Sequence, residues 1–135
     1  MINRLTDGMN FDAQALVLRA ERQRLIASNI ANADTPGYVA RDLDFAEALR
    51  DATSGIASAG AAQAKAGDLS AQATAARVER HLVYAMPSQT NLDRNTVDMD
   101  RERAAFAENT IKYQSTLQFI SGHAKMMLEI IKGTR

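Results

Sequence analysis

A ten-residue stretch, Asn29 to Tyr38, requires any fold of this chain to end a long helix and change direction. Asn32 and Asp34 are poor residues for a helix interior, because their side chains compete for nearby backbone groups. Pro36 fixes its own φ and disfavours the helical region for the residue before it. Gly37 tolerates the positive φ that the third residue of a type II turn requires. We expect this turn motif to consist of Asn29, Asn32, Asp34, Thr35, Pro36, Gly37 and Tyr38.

Two long helical patterns flank the turn motif, one at each end of the chain. Between Met9 and Ile30, and again between Phe106 and Ile131, apolar and small residues recur at steps of four and three. This is the heptad pattern of a helix that packs against another helix. Gly8 weakens the first turns of the first helix, which we expect to order only on contact. A second apolar line, which indicates a further helical neighbour, contains Phe11, Ala15, Leu18 and Leu25.

The chain between the helices predicts local elements of lower regularity. Asp44 is placed to cap a short helix that carries Phe45 and Leu49, and Asp98 is placed to cap the last helix. Residues 51–76 are rich in Ala, Gly, Ser, Gln and Thr. A loop or linker is the favoured interpretation, because such residues bury too little apolar surface to offset their ordering entropy. A marginal helix is the alternative.

Two further features complete the local predictions. Residues 77–85 favour a strand by their β-branched and aromatic content, and residues 88–97 are polar and irregular with a turn near Asp93. Gly133 follows a basic residue and suits the C′ position that ends a helix.

The expected fold class is mainly α, with the terminal helices paired as an antiparallel coiled-coil hairpin. Residues 1–33 and 98–135 form the two assembly helices, and residues 34–97 form an irregular middle with room for a short β-hairpin. Two helices alone leave apolar lines exposed, and such stripes mark interaction surfaces. The residues expected to pack between subunits are Leu5, Met9, Leu16, Ile30, Phe106, Tyr113, Leu117, Ile120, Met127 and Ile131.

Composition argues against several other functions. The 16 basic and 16 acidic residues balance, which disfavours a nucleic-acid surface. The chain has no cysteine, so disulfides and thiolate chemistry are excluded. The acids Asp98, Asp100 and Glu102 do not follow calcium-loop spacing and suit a helix start. No nucleophile or phosphate motif is present. We expect no metal, cofactor, small-molecule substrate or enzyme activity, and neither a secretory signal nor a membrane span.

The motif Asn29-Ile30-Ala31-Asn32-Ala33-Asp34-Thr35-Pro36-Gly37-Tyr38 resembles the signature that bacterial flagellar rod and hook proteins carry after their N-terminal helix. Later blocks make the chain similar to the proximal-rod members of that family. The resemblance covers both ends of the chain and does not extend to residues 51–76. The blocks that carry it are Ala40–Phe45, Pro87–Gln89, Leu92-Asp93, Asn95–Asp100, Glu102–Ala104, Phe106–Asn109 and Tyr113-Gln114.

This resemblance implies a structural subunit of the basal-body rod in the periplasm. Such subunits are exported by the flagellar type III apparatus without a cleaved signal. They polymerise helically through their terminal helices, transmit torque and enclose the export channel. The implied partners are the chain itself, other rod subunits, an adaptor protein at the membrane-ring junction and the export gate. Phe45 and Leu49 fit the Phe-x-x-x-hydrophobic element by which such substrates dock at the gate, and packing against the rod body is the other role open to them.

Two other functions compete with that of a rod subunit. A cytoplasmic export chaperone or adaptor with a helical-hairpin fold fits the same helices and would form a small defined complex. A hydrolase acting on cell-wall polymer would need a pair of carboxylates suited to acid and base chemistry, and the sequence offers no such pair.

Overall fold

The computed structural model describes residues 2–57, 71–86 and 92–133. The fold is mainly α, and its long first and last helices lie in contact, as expected. No helix in the described part of the chain is long and apolar enough to cross a membrane. The elements are α1 (Ile2–Ala31), β1 (Arg41–Leu43), α2 (Phe45–Ala57), α3 (Ala71–Arg80), β2 (Leu82–Tyr84) and α4 (Met99–Gly133).

Both predicted N-caps are present. The Asp44 side chain accepts a hydrogen bond from the backbone of Glu47 at 3.3 Å, at the start of α2. The Asp98 carboxylate accepts from the backbone of Asp100 and Arg101 at 3.1 and 3.2 Å, at the start of α4. Each cap satisfies backbone donors that have no partner within the helix. At the other end of α4, Gly133 is the last helical residue. Its predicted role as the residue after the helix is therefore wrong.

The strand predicted over residues 77–85 is correct only for Leu82–Tyr84, and residues 77–80 end a helix instead. Thr74 and Val78 lie four residues apart and are both buried, so helical geometry places them on one inward face. Arg77 and Arg80 lie in the last turn, where the helix dipole favours cations. Tertiary burial therefore outweighs the β propensity of this segment.

The loop favoured for residues 51–76 is wrong at both of its flanks. Residues 51–57 continue α2 and residues 71–76 begin α3, so the helical alternative holds there. Ala48 and Ala52, one turn apart on α2, are 0% and 2% exposed. Their small side chains let the helix backbone approach its neighbours, which adds burial that the composition does not reveal. Residues 58–70 lie outside the described residues, as do Pro87 and Ser88.

The two strands form a small antiparallel sheet in which Arg41 pairs with Tyr84 and Leu43 with Leu82. Backbone hydrogen bonds of 2.9 Å extend the pairing at both ends, from Asp44 to His81 and from Ala85 to Ala40. The strands do not form a simple hairpin, because α2 and α3 lie between them in the chain. The sheet thereby brings the two sides of the middle region together beside α1.

The hydrophobic core lies on one face of α1. Leu18, which is 0% exposed, is the α1 residue at its centre. The line predicted through Ala15, Leu18 and Leu25 does face a second neighbour, although Phe11 on the same line is 45% exposed. The middle elements that complete the core contribute Leu43, Phe45, Ala48, Leu49, Ala52, Val78 and Leu82.

Candidate functional site

The end of α1 has the geometry that its sequence predicts. The backbone N–H of Tyr38 donates to the carbonyl of Thr35 at 3.3 Å, across Pro36 and Gly37. Gly37 has a φ of +73°, which is the value that a type II turn needs at its third residue. The side chain of Asn32 donates to the carbonyl of Ser28 at 2.8 Å, one turn back in the helix. The chain therefore leaves α1 through a closed turn.

Asn29 connects three elements through one buried side chain that is 1% exposed. Its amide nitrogen donates to the carbonyl of Arg41 at 2.7 Å and to the Glu102 carboxylate at 3.1 Å. Its amide oxygen accepts from the Arg41 backbone at 3.0 Å and from the Tyr38 hydroxyl at 3.2 Å. An asparagine amide has two donor hydrogens and two acceptor positions. All four are used here, and they tie α1 to the turn, to β1 and to α4.

Asn95 is a second buried side-chain amide and is 3% exposed. The sequence pattern does not predict its contacts. Its amide nitrogen lies 2.8–2.9 Å from the carbonyl oxygens of Asn32, Ala33 and Thr35. Its amide oxygen accepts from the backbone of Val97 at 2.8 Å. Asn95 thus binds the carbonyls at the break in α1, beside the Asn32 side chain that binds the carbonyl of Ser28, whereas Asp34 is exposed. We call Asn29, Asn95 and the 32–38 turn the helix joint.

Further hydrogen bonds hold the chain before α4 against the turn. The Gly37 backbone donates to the carbonyl of Asp93 at 2.7 Å, and the Thr96 backbone donates to the carbonyl of Tyr38 at 3.0 Å. The Ala40 backbone donates to the Thr96 hydroxyl at 2.8 Å. The helix joint therefore orders two segments that are about sixty residues apart in sequence.

The contact between α1 and α4 contains buried polar side chains that are joined by hydrogen bonds. Asn109, 1% exposed, donates to the carbonyl of Arg19 at 2.9 Å and to the side chain of Gln23 at 2.6 Å. Gln23 in turn donates to the Thr110 hydroxyl at 3.0 Å. Residues early in α1 pair with residues late in α4, so the hairpin is antiparallel.

The polar contacts on α4 recur at a regular spacing. Besides Asn109, they involve Glu102, which binds Asn29, and His123, whose ring nitrogen lies 3.1 Å from the Asp12 carboxylate. Thr116, 7% exposed, lies between Asn109 and His123. The four α4 residues are each seven positions apart, so they form one line along the helix. We call Glu102, Asn109, Thr116 and His123 the polar ladder.

The residues predicted to pack between subunits lie on α1 and α4 and differ in exposure. Phe106, Leu117 and Ile131 are 40%, 41% and 62% exposed. The other described members are half-buried: Leu5, Met9, Leu16, Ile30, Tyr113, Ile120 and Met127. Four further large apolar residues of α4 are exposed, namely Ile111, Phe119, Met126 and Leu128. We call the exposed apolar residues of α4 its outer apolar surface.

A groove of about 500 Å³ lies between the two helices near the helix joint. Apolar side chains dominate its walls, and Arg24 lies at its edge; its lining residues are Ala20, Gln23, Arg24, Ala27, Phe106, Thr110 and Tyr113. The groove is continuous with the exposed ring of Phe106. A neighbouring subunit could therefore be contacted by both helices at once.

The two residues proposed for gate docking, Phe45 and Leu49, pack against the core in the folded chain. The Arg19 guanidinium lies over the Phe45 ring, 4.2 Å from its centre, in a cation–π contact. Burial lowers the pKa of Arg19. The neighbouring Arg22 binds both oxygens of Asp42 at 2.9 and 3.0 Å, and that hydrogen-bonded pairing raises the pKa of Arg22.

The described residues contain no group of His, Asp or Glu side chains suited to hold a metal ion. What the arrangement offers is a long helical hairpin, a rigid joint and an outer apolar surface. These features define a structural assembly subunit.

Comparison with known proteins gives the family. Residues 9–38, which contain the turn motif, match the model of the flagella basal body rod protein family. The chain is 44% identical to the flagellar basal body rod protein FlgB of Salmonella typhimurium, over 98% of this chain and 99% of that protein. It is 45% identical to the FlgB of Escherichia coli K12 and 42% identical to that of Cereibacter sphaeroides, over 98% and 94% of this chain and 98% and 95% of those proteins.

The chain therefore belongs to the FlgB family of flagellar basal-body rod proteins, which are structural proteins and not enzymes. Its place is in the basal body of the flagellum, where it assembles with other rod components.

We expect Asn95→Asp to destabilise the protein, because a carboxylate would face the carbonyl oxygens of Asn32, Ala33 and Thr35. Loss of hydrogen bonds to buried groups costs roughly 1–3 kcal/mol, and more when a charge is involved. Urea denaturation followed by circular dichroism measures the free energy of unfolding. Asp34→Ala, at an exposed site of the same turn, should change it by no more than about 0.5 kcal/mol. Equal stability of Asn95→Asp and the parent chain would contradict the role of Asn95.

A second prediction concerns pH. Burial raises the pKa of Glu102, against the opposing effect of its hydrogen bond from Asn29. A carboxyl whose pKa is raised on folding adds stability below its unfolded pKa of about 4.3, and this is lost as pH rises through the folded pKa. Glu102→Gln keeps an acceptor for Asn29. The unfolding free energy of Glu102→Gln relative to the parent chain should therefore increase between about pH 4 and pH 7.

Glu108→Gln is the control for this measurement. Glu108 is exposed, and its hydrogen bond from Lys112 lowers its pKa, so the pH dependence of that variant should have the opposite sign. Parallel curves for Glu102→Gln and the parent chain would contradict the assignment to Glu102.

Proposed function

We propose that the chain polymerises helically in the periplasmic rod through α1 and α4, transmits torque and helps to enclose the export channel. It reaches this position through the flagellar type III export apparatus, and it meets an adaptor protein at the membrane-ring junction. The proposal rests on membership of the rod family and on one structural observation. Several large apolar residues of α4 are exposed, while the contact between the helices buries the polar residue Asn109.

The physical argument starts from the exposed residues. Apolar stripes of this length are uncommon on a monomer and mark surfaces that become covered on assembly. Phe119 and Leu117 lie on different sides of the polar ladder, so one α4 offers apolar contacts to neighbours on two sides. When each subunit uses one surface to contact a different surface of its neighbour, the rotation between subunits either closes into a ring or, if it does not close, builds a helical filament. We therefore assign residues 1–33 and 98–135 as the assembly helices.

Docking at the export gate requires access to side chains that are half-buried in the folded structure. Phe45 and Leu49, the residues proposed to dock at the export gate, pack against the core beside Arg19 and Leu18. We propose that the gate binds this element before the chain folds. The same side chains then serve twice, first in docking and afterwards in the core.

For assembly, we expect Leu117→Asp or Ile120→Asp to abolish rod formation and leave export unchanged. A charge without a partner in a helix contact costs several kcal/mol. Electron microscopy of isolated basal bodies measures rod formation, and cell fractionation measures how much chain leaves the cytoplasm. Leu117→Met, which conserves volume and polarity, is the matched control and should assemble. Normal rods and motility in the Asp variants would contradict the assignment of α4 as an assembly helix.

For export, Phe45→Ala combined with Leu49→Ala should reduce the fraction of chain that leaves the cytoplasm several-fold. The matched control is Leu43→Ala combined with Leu82→Ala, which removes side chains from the same core but spares the docking element. Both double variants weaken the fold, so a lower exported fraction for Phe45→Ala/Leu49→Ala alone would report a docking role. Equal export of the two would contradict the docking proposal. A chain that never leaves the cytoplasm in any form would favour an export chaperone.

A further inference from the structure

The sequence pattern and the structure disagree about which face of α4 should meet α1. Hydrophobic burial favours the line that runs through Phe106, Tyr113 and Leu117, because large apolar side chains gain most from leaving water. In the structure, Leu117 is 41% exposed while its neighbour Thr116 is 7% exposed. Tyr113, Ile120 and Met127 are half-buried beside these residues, so apolar burial alone does not account for the burial of Thr116 in place of Leu117.

The hydrogen bonds of the polar ladder can make this selection. If α4 turned about its axis toward the Leu117 side, the α1 partners Asn29, Gln23 and Asp12 would face apolar or small residues. Polar groups that are buried without a partner carry the whole cost of their desolvation. In the observed orientation Asn29 donates to Glu102 and Asn109 donates to Gln23. The Asp12 carboxylate lies 3.1 Å from Nδ1 of His123, a close contact without hydrogen-bond geometry.

The order of residues along the ladder also opposes sliding by one heptad. A shift would set Glu102 or Thr116 at the level of Gln23 in place of Asn109. An ionised Glu102 cannot donate to the Arg19 carbonyl, and the Thr116 hydroxyl is already used by the carbonyl of Lys112. A shift by seven residues would only exchange one large apolar residue for another in the parallel line of α4, which consists of Phe106, Tyr113, Ile120 and Met127. Only the polar residues distinguish one alignment from another, as a buried asparagine does in a coiled coil.

The side-chain oxygen of Asn109 indicates that the polar ladder contributes more to the specific orientation of α4 than to the stability of the fold. Its oxygen Oδ1 is buried and, within the described part of the chain, has no hydrogen-bond partner. An unsatisfied buried acceptor lowers stability. A leucine at this position would bury more apolar surface and leave no such atom.

We propose that Asn109 and Gln23 act as an orientation lock, which turns the polar ladder toward α1 and keeps the outer apolar surface of α4 facing outward. The lock operates within a single chain. It is therefore independent of export and polymerisation, and it determines which surface the chain can offer to a partner.

Thiol labelling of the full chain tests the lock, because the chain has no cysteine of its own. Thr116→Cys and Leu117→Cys are made separately, and the rate of reaction with a maleimide is measured for each. In the parent background, the thiol at position 117 should react several-fold faster than the thiol at position 116. In the Gln23→Ala/Asn109→Ala background, which removes both partners, this order should reverse.

Tyr113→Ala is the control background, because Tyr113 lies on the apolar line beside the ladder. There the order should remain as in the parent chain. The proposal is overturned if the order is also unchanged in the Gln23→Ala/Asn109→Ala chain. It is equally overturned if both thiols become fast in that chain with loss of helical circular dichroism, since the pair would then act in stability. None of these measurements requires rod assembly, so failure of the lock is distinguishable from failure of the proposed function.

Discussion

The buried amide of Asn29 is the interaction on which the rest of this structure depends. It pairs with the backbone of Arg41 through both a donor and an acceptor, as a neighbouring strand would, and its remaining positions bind Tyr38 and Glu102. A helix end, a turn, a strand and the start of the last helix therefore meet at one side chain. Apolar contacts could hold these elements together, but they are not directional enough to fix their mutual angles.

From the helix joint, α1 extends with two adjacent faces that each pack against other elements of the fold. One face packs Leu18 into a small core built with α2, α3 and the sheet, where alanines allow close approach. The other face meets α4 through polar groups. The core supplies the apolar burial that stabilises the fold, while the polar face supplies directional contacts. This division is consistent with the proposed assembly, in which α4 holds a defined orientation while its exposed apolar residues contact neighbouring subunits.

The same division explains why Phe45 and Leu49 can have two proposed roles. Both side chains are part of the core once the chain is folded, and Phe45 also contacts Arg19. Before folding, the same residues are accessible to a binding partner. Folding would then reduce access to both side chains, which are half-buried in the folded chain, without any change in covalent structure.

Local chemistry in the sequence determined the two long helices, their caps at Asp44 and Asp98, and the turn at Pro36-Gly37, since each depends on residues adjacent in the chain. The motif from Asn29 to Tyr38 also carried the family resemblance. The tertiary structure decided the rest. Helix α3 forms because Thr74 and Val78 reach the core, which β propensity does not register. Asn95 gains its role from carbonyls sixty residues away, and no spacing pattern signals that contact. The heptad pattern likewise did not signal the burial of Asn109 and Thr116 on α4, because that pattern counts apolar residues and takes no account of hydrogen bonds between polar residues on two distant helices.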